Sequence, residues 1–277
     1  MQNMLLAMPI LSDQATLKGS TSSGSLGINN LKTMSLKEVY RAADASSVYI
    51  EVDFGKSEKI NLFALIGHSG SSRSFARVRA SNILSDLMSN PTFDSGDVPF
   101  RSHQTGYDNT WASLVTDEEY GALDKNLFFQ YFPTINMRYW RVDISDPNST
   151  YLDIGRLYVA NAWQPATNMN YGGGLGYIDP SRKARTKSNE IISNERQQYR
   201  YVDFSLSFSN EAEMYDNAFE VDRRRGRTKD VLFIHDPDAK HQLQRRSIYG
   251  TMESLQSIVN TNYNIYEKTF RIEEITP

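Results

Sequence analysis

The sequence predicts a mainly β protein: a sandwich of two antiparallel layers followed by a smaller α+β region. Three observations carry that expectation. Apolar and polar residues alternate with period two in several runs between residues 46 and 163. The runs are short, and Gly, Pro, Asn and Asp punctuate them. A clear helical period emerges only beyond residue 199.

Taken in order, MQNMLLAMPIL at the start has an apolar run without a basic flank or a small-residue cleavage site. Neither a signal peptide nor a membrane span is expected there. KGSTSSGSLGINN, residues 18–30, is rich in Ser, Gly and Asn, so residues 1–45 are expected to be an N-terminal arm and linker. SVYIEVDFG then alternates Val48, Ile50, Val52 and Phe54 against Tyr49, Glu51 and Asp53, and stops at Gly55 as a half-buried strand. KINLFALIGHSG places Ile60, Leu62, Ala64 and Ile66 on one side and Phe63 and Leu65 on the other, apolar on both faces as a strand inside a sandwich is. FARVRAS alternates again, and ILSDLMSN reads either as one helical turn or as a strand end. Residues 91–125 are loop-rich around Trp111. LFFQYF, RYWRVDIS and YLDIGRLYVAN follow as strands, closing a sandwich expected over 46–163. A Gly/Asn-rich connecting loop is expected over 164–198 and an α+β domain over 199–277. In that last region YRYVDFSLSFS alternates. NEAEMYDNAFEVDRR gathers Met214, Ala218 and Val221 with Tyr215 and Phe219 on one stripe, Asn210 standing as N-cap and Glu213 as its N3 partner.

Composition narrows the function classes. With 277 residues, 39% hydrophobic and 23% charged, the chain has apolar surface enough for a substantial core. A formal charge of −3, with no basic excess in either half, argues against a nucleic-acid binder, whose affinity rests on phosphate neutralisation. The one dense cationic run, DRRRGRTKD, reads as an exposed turn or a salt-bridged contact. The absence of cysteine excludes disulfides, thiolate metal sites and cysteine nucleophiles.

Motifs for chemistry are weak. His235-Asp236-Pro237-Asp238 with His241 is the best metal candidate, but Pro237 puts it in a turn rather than on one coordinating face. GGGLG, residues 172–176, lacks the Lys-Ser/Thr of a phosphate loop. Gly67-His68-Ser69-Gly70 is one residue short of a nucleophile elbow. Glu118-Glu119 and Glu273-Glu274 are sequence neighbours, which face opposite sides of a strand rather than converging as glycosidase carboxyls do. Neither a catalytic set, a cofactor nor a metal is therefore expected.

The segment from about residue 46 to 163 resembles a galactose-binding-like jelly roll of the discoidin type. Asp53-Phe54-Gly55 matches the early aspartate-aliphatic-glycine pattern, and Trp140-Arg141-Val142 the later aromatic-Arg-aliphatic strand. Trp140 and Val142 are expected inside, with Arg141 and Asp143 on the opposite face for cross-strand pairing. The sandwich followed by an α+β segment also looks like tail-tip or baseplate (distal-tail-like) structural proteins of long-tailed bacteriophages. Ile154-Gly155-Arg156, Trp163, Leu232 to Asp236 and Tyr249-Gly250 carry that match. Such proteins often place the ring-forming domain first, whereas here the sandwich comes early.

The resemblance implies a non-enzymatic virion protein, made in the host cytoplasm and resident at the tail tip or baseplate. It would assemble as a ring or peripheral component with its own copies and with tail-tube and baseplate neighbours, and contribute to host-surface attachment without nucleic acid or membrane insertion. The alternative it implies is a lectin-like carbohydrate-binding module. In that case His68, Ser69, Arg73, Tyr107, Asp108 and Trp111 are the candidate glycan site, an aromatic to stack on a sugar and polar groups to take its hydroxyls. The competing reading of those residues has Trp111 anchoring a long loop and Arg73 paired with a carboxylate.

Overall fold

A computed structural model describes residues 2–71, 73–101, 126–239 and 243–276. The chain divides into two units. Met1–Gln164 and Ile234–Ser247 form one, while Pro165–Phe233 and Ile248–Thr276 form the other. The protein is mainly β, and the first unit is a β sandwich in which, among the described residues, a seven-stranded antiparallel sheet and a two-stranded sheet share one core.

Two long antiparallel strands, Val48–His68 and Asn126–Ser145, frame the first unit. The sequence breaks that suggested separate strands are absorbed as bulges between Asp53 and Glu58, Ile60 and Leu62, and Ile66 and His68. Gly55 takes φ +76 at the first bulge, and the Asp53 carboxylate accepts its N–H at 2.7 Å. The near half of Val48–His68 pairs with Thr16–Gly19 and the far half with Arg156–Ala160. Phe75–Ser81 flanks the end of Asn126–Ser145, and Phe93–Asp94 and Val98–Pro99 pair with it in turn. Tyr40–Ala42 and Leu152–Ile154 make a separate two-stranded sheet. Its Tyr40, Ala42, Leu152 and Ile154 enter the same buried cluster as the long strands.

The second bulge corrects the expected facing of KINLFALIGH. An extra residue at Asn61 shifts the parity, so Ile60 shares the sandwich core with Phe63 and Leu65 rather than with Leu62, Ala64 and Ile66. The buried Asn61 amide clamps Ala162, donating to its carbonyl at 2.9 Å and accepting its N–H at 2.6 Å. Trp140 fills the centre, its ring 5.3 Å from Phe132, 6.0 Å from Phe93 and 6.4 Å from Phe63. Contact between the near-half Trp140 and the far-half Phe63 shows that the bent strands wrap around one core.

YLDIGRLYVAN is two strands rather than one, broken at Gly155. A Cβ there would lie 2.8 Å from Leu36 and 3.2 Å from the Ile66 carbonyl, so the chain crosses between sheets where only glycine fits. Residues 2–45 also depart from the expected arm. Leu17, Leu31, Tyr40, Ala42 and Ala45 lie in the core, and the Ser/Gly tract is pinned where Ser20 accepts the Tyr40 hydroxyl at 2.9 Å and the Tyr49 N–H at 2.8 Å. Residues 234–247, expected in the second domain, belong with the sandwich. There the buried Gln244 side chain holds Leu127 like a strand partner, accepting its N–H at 2.8 Å and donating to its carbonyl at 2.7 Å.

In the second unit, strands run in the order Asp230–Ile234, Ser247–Met252, Ile265–Glu274, Tyr199–Ser209, Gly174–Ile178, with Val259–Asn262 also on Ile265–Glu274. Phe204 stacks on Phe233 at 4.8 Å and on Phe270 at 5.2 Å. The helical segment 211–225 contains a π turn over Met214–Phe219. Asn210 caps it, accepting the Glu213 N–H at 2.8 Å, while the Glu213 carboxylate instead takes the Ala166 N–H. Met214, Ala218 and Val221 are buried as the stripe predicts, whereas Tyr215 and Phe219 stay half exposed. The cationic run is neutralised locally: Glu220 pairs with Arg223 and Arg224, and the buried Arg225 pairs with Asp230. Residues 164–198, expected as a loop, supply Gly174–Ile178 to the sheet and a separate hairpin, Arg182–Arg185 with Ile191–Asn194.

Candidate functional site

One end of the sandwich gathers the loops at residues 43–47, 69–74, 97–101 and 146–151. Asp146 ties them together. Its backbone N–H reaches the Ala45 carbonyl at 2.9 Å, and its carboxylate accepts from Ser71 N–H and hydroxyl at 2.7 and 2.6 Å, Asn148 N–H at 3.1 Å and Ser149 hydroxyl at 2.9 Å. Burial raises the Asp146 carboxyl, but the donors from Ser71, Ser149 and Asn148 outweigh it and leave the group below its ordinary value. Gly70 lets the loop close: a Cβ there would stand 2.6 Å from the Phe100 ring.

The sequence-predicted residues separate in this frame. His68 is buried, its ring 3.9 Å from that of Phe100 and its Nδ1 accepting the Gly70 N–H at 3.2 Å. Burial, reinforced by Arg101 and opposed by Asp146, pushes its imidazole down to about 3, so the ring is neutral at pH 7. Ser69 is exposed, but its hydroxyl accepts the Asp153 N–H at 2.9 Å and its own N–H donates to the Asp153 carbonyl. Arg73 is exposed and, among the described residues, has no carboxylate partner. Tyr107, Asp108 and Trp111 lie outside the described residues. The residues flanking that segment belong to this end, since Phe100 N–H bonds Ser74 and the Asn126 side chain bonds the His68 carbonyl.

Beside these loops, the outer face of the long sheet carries a ladder of ion pairs. Arg138 forks onto Asp53 at 2.8 and 3.1 Å, Arg141 bridges Glu51 and Asp143 at 2.7 Å each, Arg79 reaches Asp143 at 2.6 Å, and Arg77 forks onto Asp94 at 2.8 and 2.5 Å. Arg141 and Asp143 therefore stand where the alternation predicts, with Trp140 and Val142 inside. Hydrogen bonding to Arg77 holds the Asp94 carboxyl down to about 2. Where the ladder meets the loops there is a cleft of about 500 Å³, lined by Ser46, Ser47, Phe75, Arg77, Asp97 and Asp143 among others. Phe75 is half exposed at its rim although the ring is apolar. Among the described residues Asp97 has no ion pair.

This cleft was absent from the sequence-derived candidates, though the signal existed. In FARVRAS, period two puts Phe75 on the outward face with Arg77 and Arg79, opposite Ala76, Val78 and Ala80. A lone outward aromatic among charges is the mark. No group of three His, Asp or Glu side chains converges to hold a metal among the described residues. Asp236 instead makes the expected turn, its carboxylate accepting the Asp238 N–H at 3.0 Å; His241 lies outside the described residues.

No protein-family model matches the chain. No curated protein matches it either. Several solved structures are similar to part of it. A family 32 carbohydrate-binding module of Clostridium perfringens NanJ, in complex with galactose, is 13% identical with a TM-score of 0.40, covering 57% of this chain and 99% of its own. The carbohydrate-binding module of AlyQ, in complex with 4,5-unsaturated mannuronic acid, is 16% identical with a TM-score of 0.36, covering 52% and 92%. The lectin domain of lectinolysin, complexed with Lewis B antigen, is 13% identical with a TM-score of 0.37, covering 55% and 94%.

Proposed function

We propose that the first unit is a lectin-like module that binds a saccharide without transforming it. Phe75 carries this reading. An apolar ring held half out of a rigid sheet, beside guanidinium, carboxylate and hydroxyl groups, matches the two faces of a pyranose. Its C–H face lies on the ring, and its hydroxyls meet groups that donate and accept. Arg73, exposed two residues before Phe75, is the polar side chain we propose extends the contact. A neutral-glycan array probed with the full chain tests it, followed by titration of hits against Phe75→Ala and Arg73→Ala. Loss of about tenfold or more in affinity for Phe75→Ala supports the reading, since a desolvated aromatic contact of that kind is worth roughly 1–3 kcal/mol. An array without a hit, or unchanged affinity in Phe75→Ala, defeats it.

A second reading concerns where such a module works. The second unit exposes several large apolar side chains. Ile191 and Ile192 are each 58% exposed on a hairpin that also bears Arg182, Lys183 and Arg185, and Phe208 is 72% exposed. Phe208 also takes φ +62, costly for an aromatic residue. The helical face bearing Glu211, Asp216, Tyr215 and Phe219 is acidic and apolar, complementary to the basic hairpin. Unlike surfaces that fit each other join copies head to tail, which gives a ring where the rotation closes and a filament where it does not. This supports self-association, and the setting we propose for it, carried only by the sequence resemblance, is a virion component of a phage tail tip or baseplate. Light scattering across concentration decides it: a chain monomeric at high concentration removes the support.

A further inference from the structure

We infer that the second unit carries a saccharide cleft of its own, distinct from the one proposed on the first. Its floor is two cross-strand pairs, Asp203 with Arg271 and Ser205 with Thr269, on the polar face of neighbouring strands. The opposite face of the same strands buries Phe204 and Phe270 in the core, so the floor is rigid. Residues 170–173 form one wall and Glu253, Ser254 and Gln256 the other, enclosing about 390 Å³. That volume is within the range of small-molecule clefts.

The walls are fastened to the floor. Asn170 donates its N–H to the Ser205 carbonyl at 2.8 Å and its side-chain amide to Ser207 at 2.6 Å, and Glu253 N–H reaches the Arg271 carbonyl at 3.0 Å. Gly172 takes φ +99, and a Cβ at Gly173 would sit 2.9 Å from the Asp203 carbonyl. The Gly-rich stretch, which offered no phosphate cradle, is thus a tight turn against the floor. It holds Tyr171 wholly in solvent at the cleft's edge. The pinned loop thus fixes the backbone from which an exposed aromatic side chain can reach a ligand.

The polar groups define the ligand class. Asp203 accepts the Gly174 N–H at 2.6 Å, Glu253 pairs with Arg271 at 2.7 Å, and the hydroxyls of Ser205 and Thr269 meet at 2.9 Å. Two carboxylates against one guanidinium disfavour an anion, and the guanidinium engaged with Glu253 leaves no strong cation trap. Alternating donors and acceptors beside an exposed aromatic ring suit a neutral oligosaccharide, whose vicinal hydroxyls both give and accept hydrogen bonds.

The test uses the full chain on an array of neutral oligosaccharides, followed by titration of each hit against Phe75→Ala, Tyr171→Ala and the double variant. Tyr171 is fully exposed, so its truncation leaves the fold intact, and circular dichroism verifies this. The expected result is binding that survives Phe75→Ala, falls at least tenfold in Tyr171→Ala for that surviving phase, and vanishes in the double variant. Asp203→Asn is expected to weaken the same phase. If Phe75→Ala abolishes all binding, this second cleft is overturned and the first-unit reading stands. If Tyr171→Ala alone abolishes all binding, the reverse holds. Unchanged binding in Tyr171→Ala overturns the inference, as does a Tyr171→Ala chain that binds normally but sediments as a smaller species. No binding by the unmodified chain overturns both.

Discussion

Acid should loosen the first unit through one buried imidazole. His68 is enclosed between Phe100 and the closing loop, with Arg101 disfavouring its protonation and Asp146 favouring it less strongly. Folding lowers its value from 6.5 to about 3, so between those limits the unfolded chain binds a proton that the folded chain refuses. Stability from this group is complete above pH 6.5 and is lost as pH falls toward 3. Each pH unit inside the window removes about 1.4 kcal/mol, and moving from pH 7 to 4.5 removes about 2–3 kcal/mol. Carboxylates titrate over part of the same range, so the discriminating measurement is a difference. Denaturant unfolding of the natural chain and of His68→Phe is followed at both pH values by tryptophan fluorescence, to which Trp140, in the same core cluster as Phe100, contributes. His68→Phe loses an acceptor for the Gly70 N–H at either pH, and that constant cost cancels. Its pH-induced loss should be smaller by about 2–3 kcal/mol. Equal losses in the two chains would refute the reasoning.

Further outcomes follow from the same geometry. Gly70→Ala drives a methyl to 2.6 Å from the Phe100 ring, and denaturation should show a loss of about 1–3 kcal/mol, the usual range for overpacking. Asp13→Ala strips the buried Arg156 of its forked carboxylate partner at 2.6 and 3.0 Å and should cost about 3–5 kcal/mol by the same assay. Asp146→Ala removes four accepted hydrogen bonds. It should weaken glycan binding and flatten the acid dependence at low pH, because a carboxyl lowered on folding stabilises above its unfolded value and loses that contribution below it. Ile191→Lys with Ile192→Lys should leave the melting temperature unchanged, both side chains being exposed, while lowering the mass seen by light scattering.

Much of the sandwich was legible because alternation reports burial directly. Trp140, Val142, Arg141 and Asp143 face as their spacing requires, and the Asn210 cap stands where a helix start demands one. Bulges were not legible. The added residue at Asn61 reverses the facing of Leu62 relative to Ile60, and nothing in KINLF marks which position will bulge. Composition misled over residues 18–30, since a Ser/Gly tract reads as flexible unless the partners that pin it, here Tyr40 and Tyr49, are known to be near. The site was partly legible. Arg73 and Ser69 reach the surface, whereas His68, a polar residue in a Gly/Ser loop, is claimed by the core. Phe75 was written in the strand period, which sets it outward with Arg77 and Arg79.

The return of residues 234–247 to the sandwich has a practical consequence for anyone dissecting the protein. No single cut separates the two units, because the chain leaves the first, enters the second, visits the first again and goes back. A gene trimmed after Gln164 would delete Gln244 and strip Leu127 of the amide that satisfies both its N–H and its carbonyl. Fragments that stop at residue 164 would therefore fray at that strand, and a piece in which the module's edge is complete must run at least to Ser247.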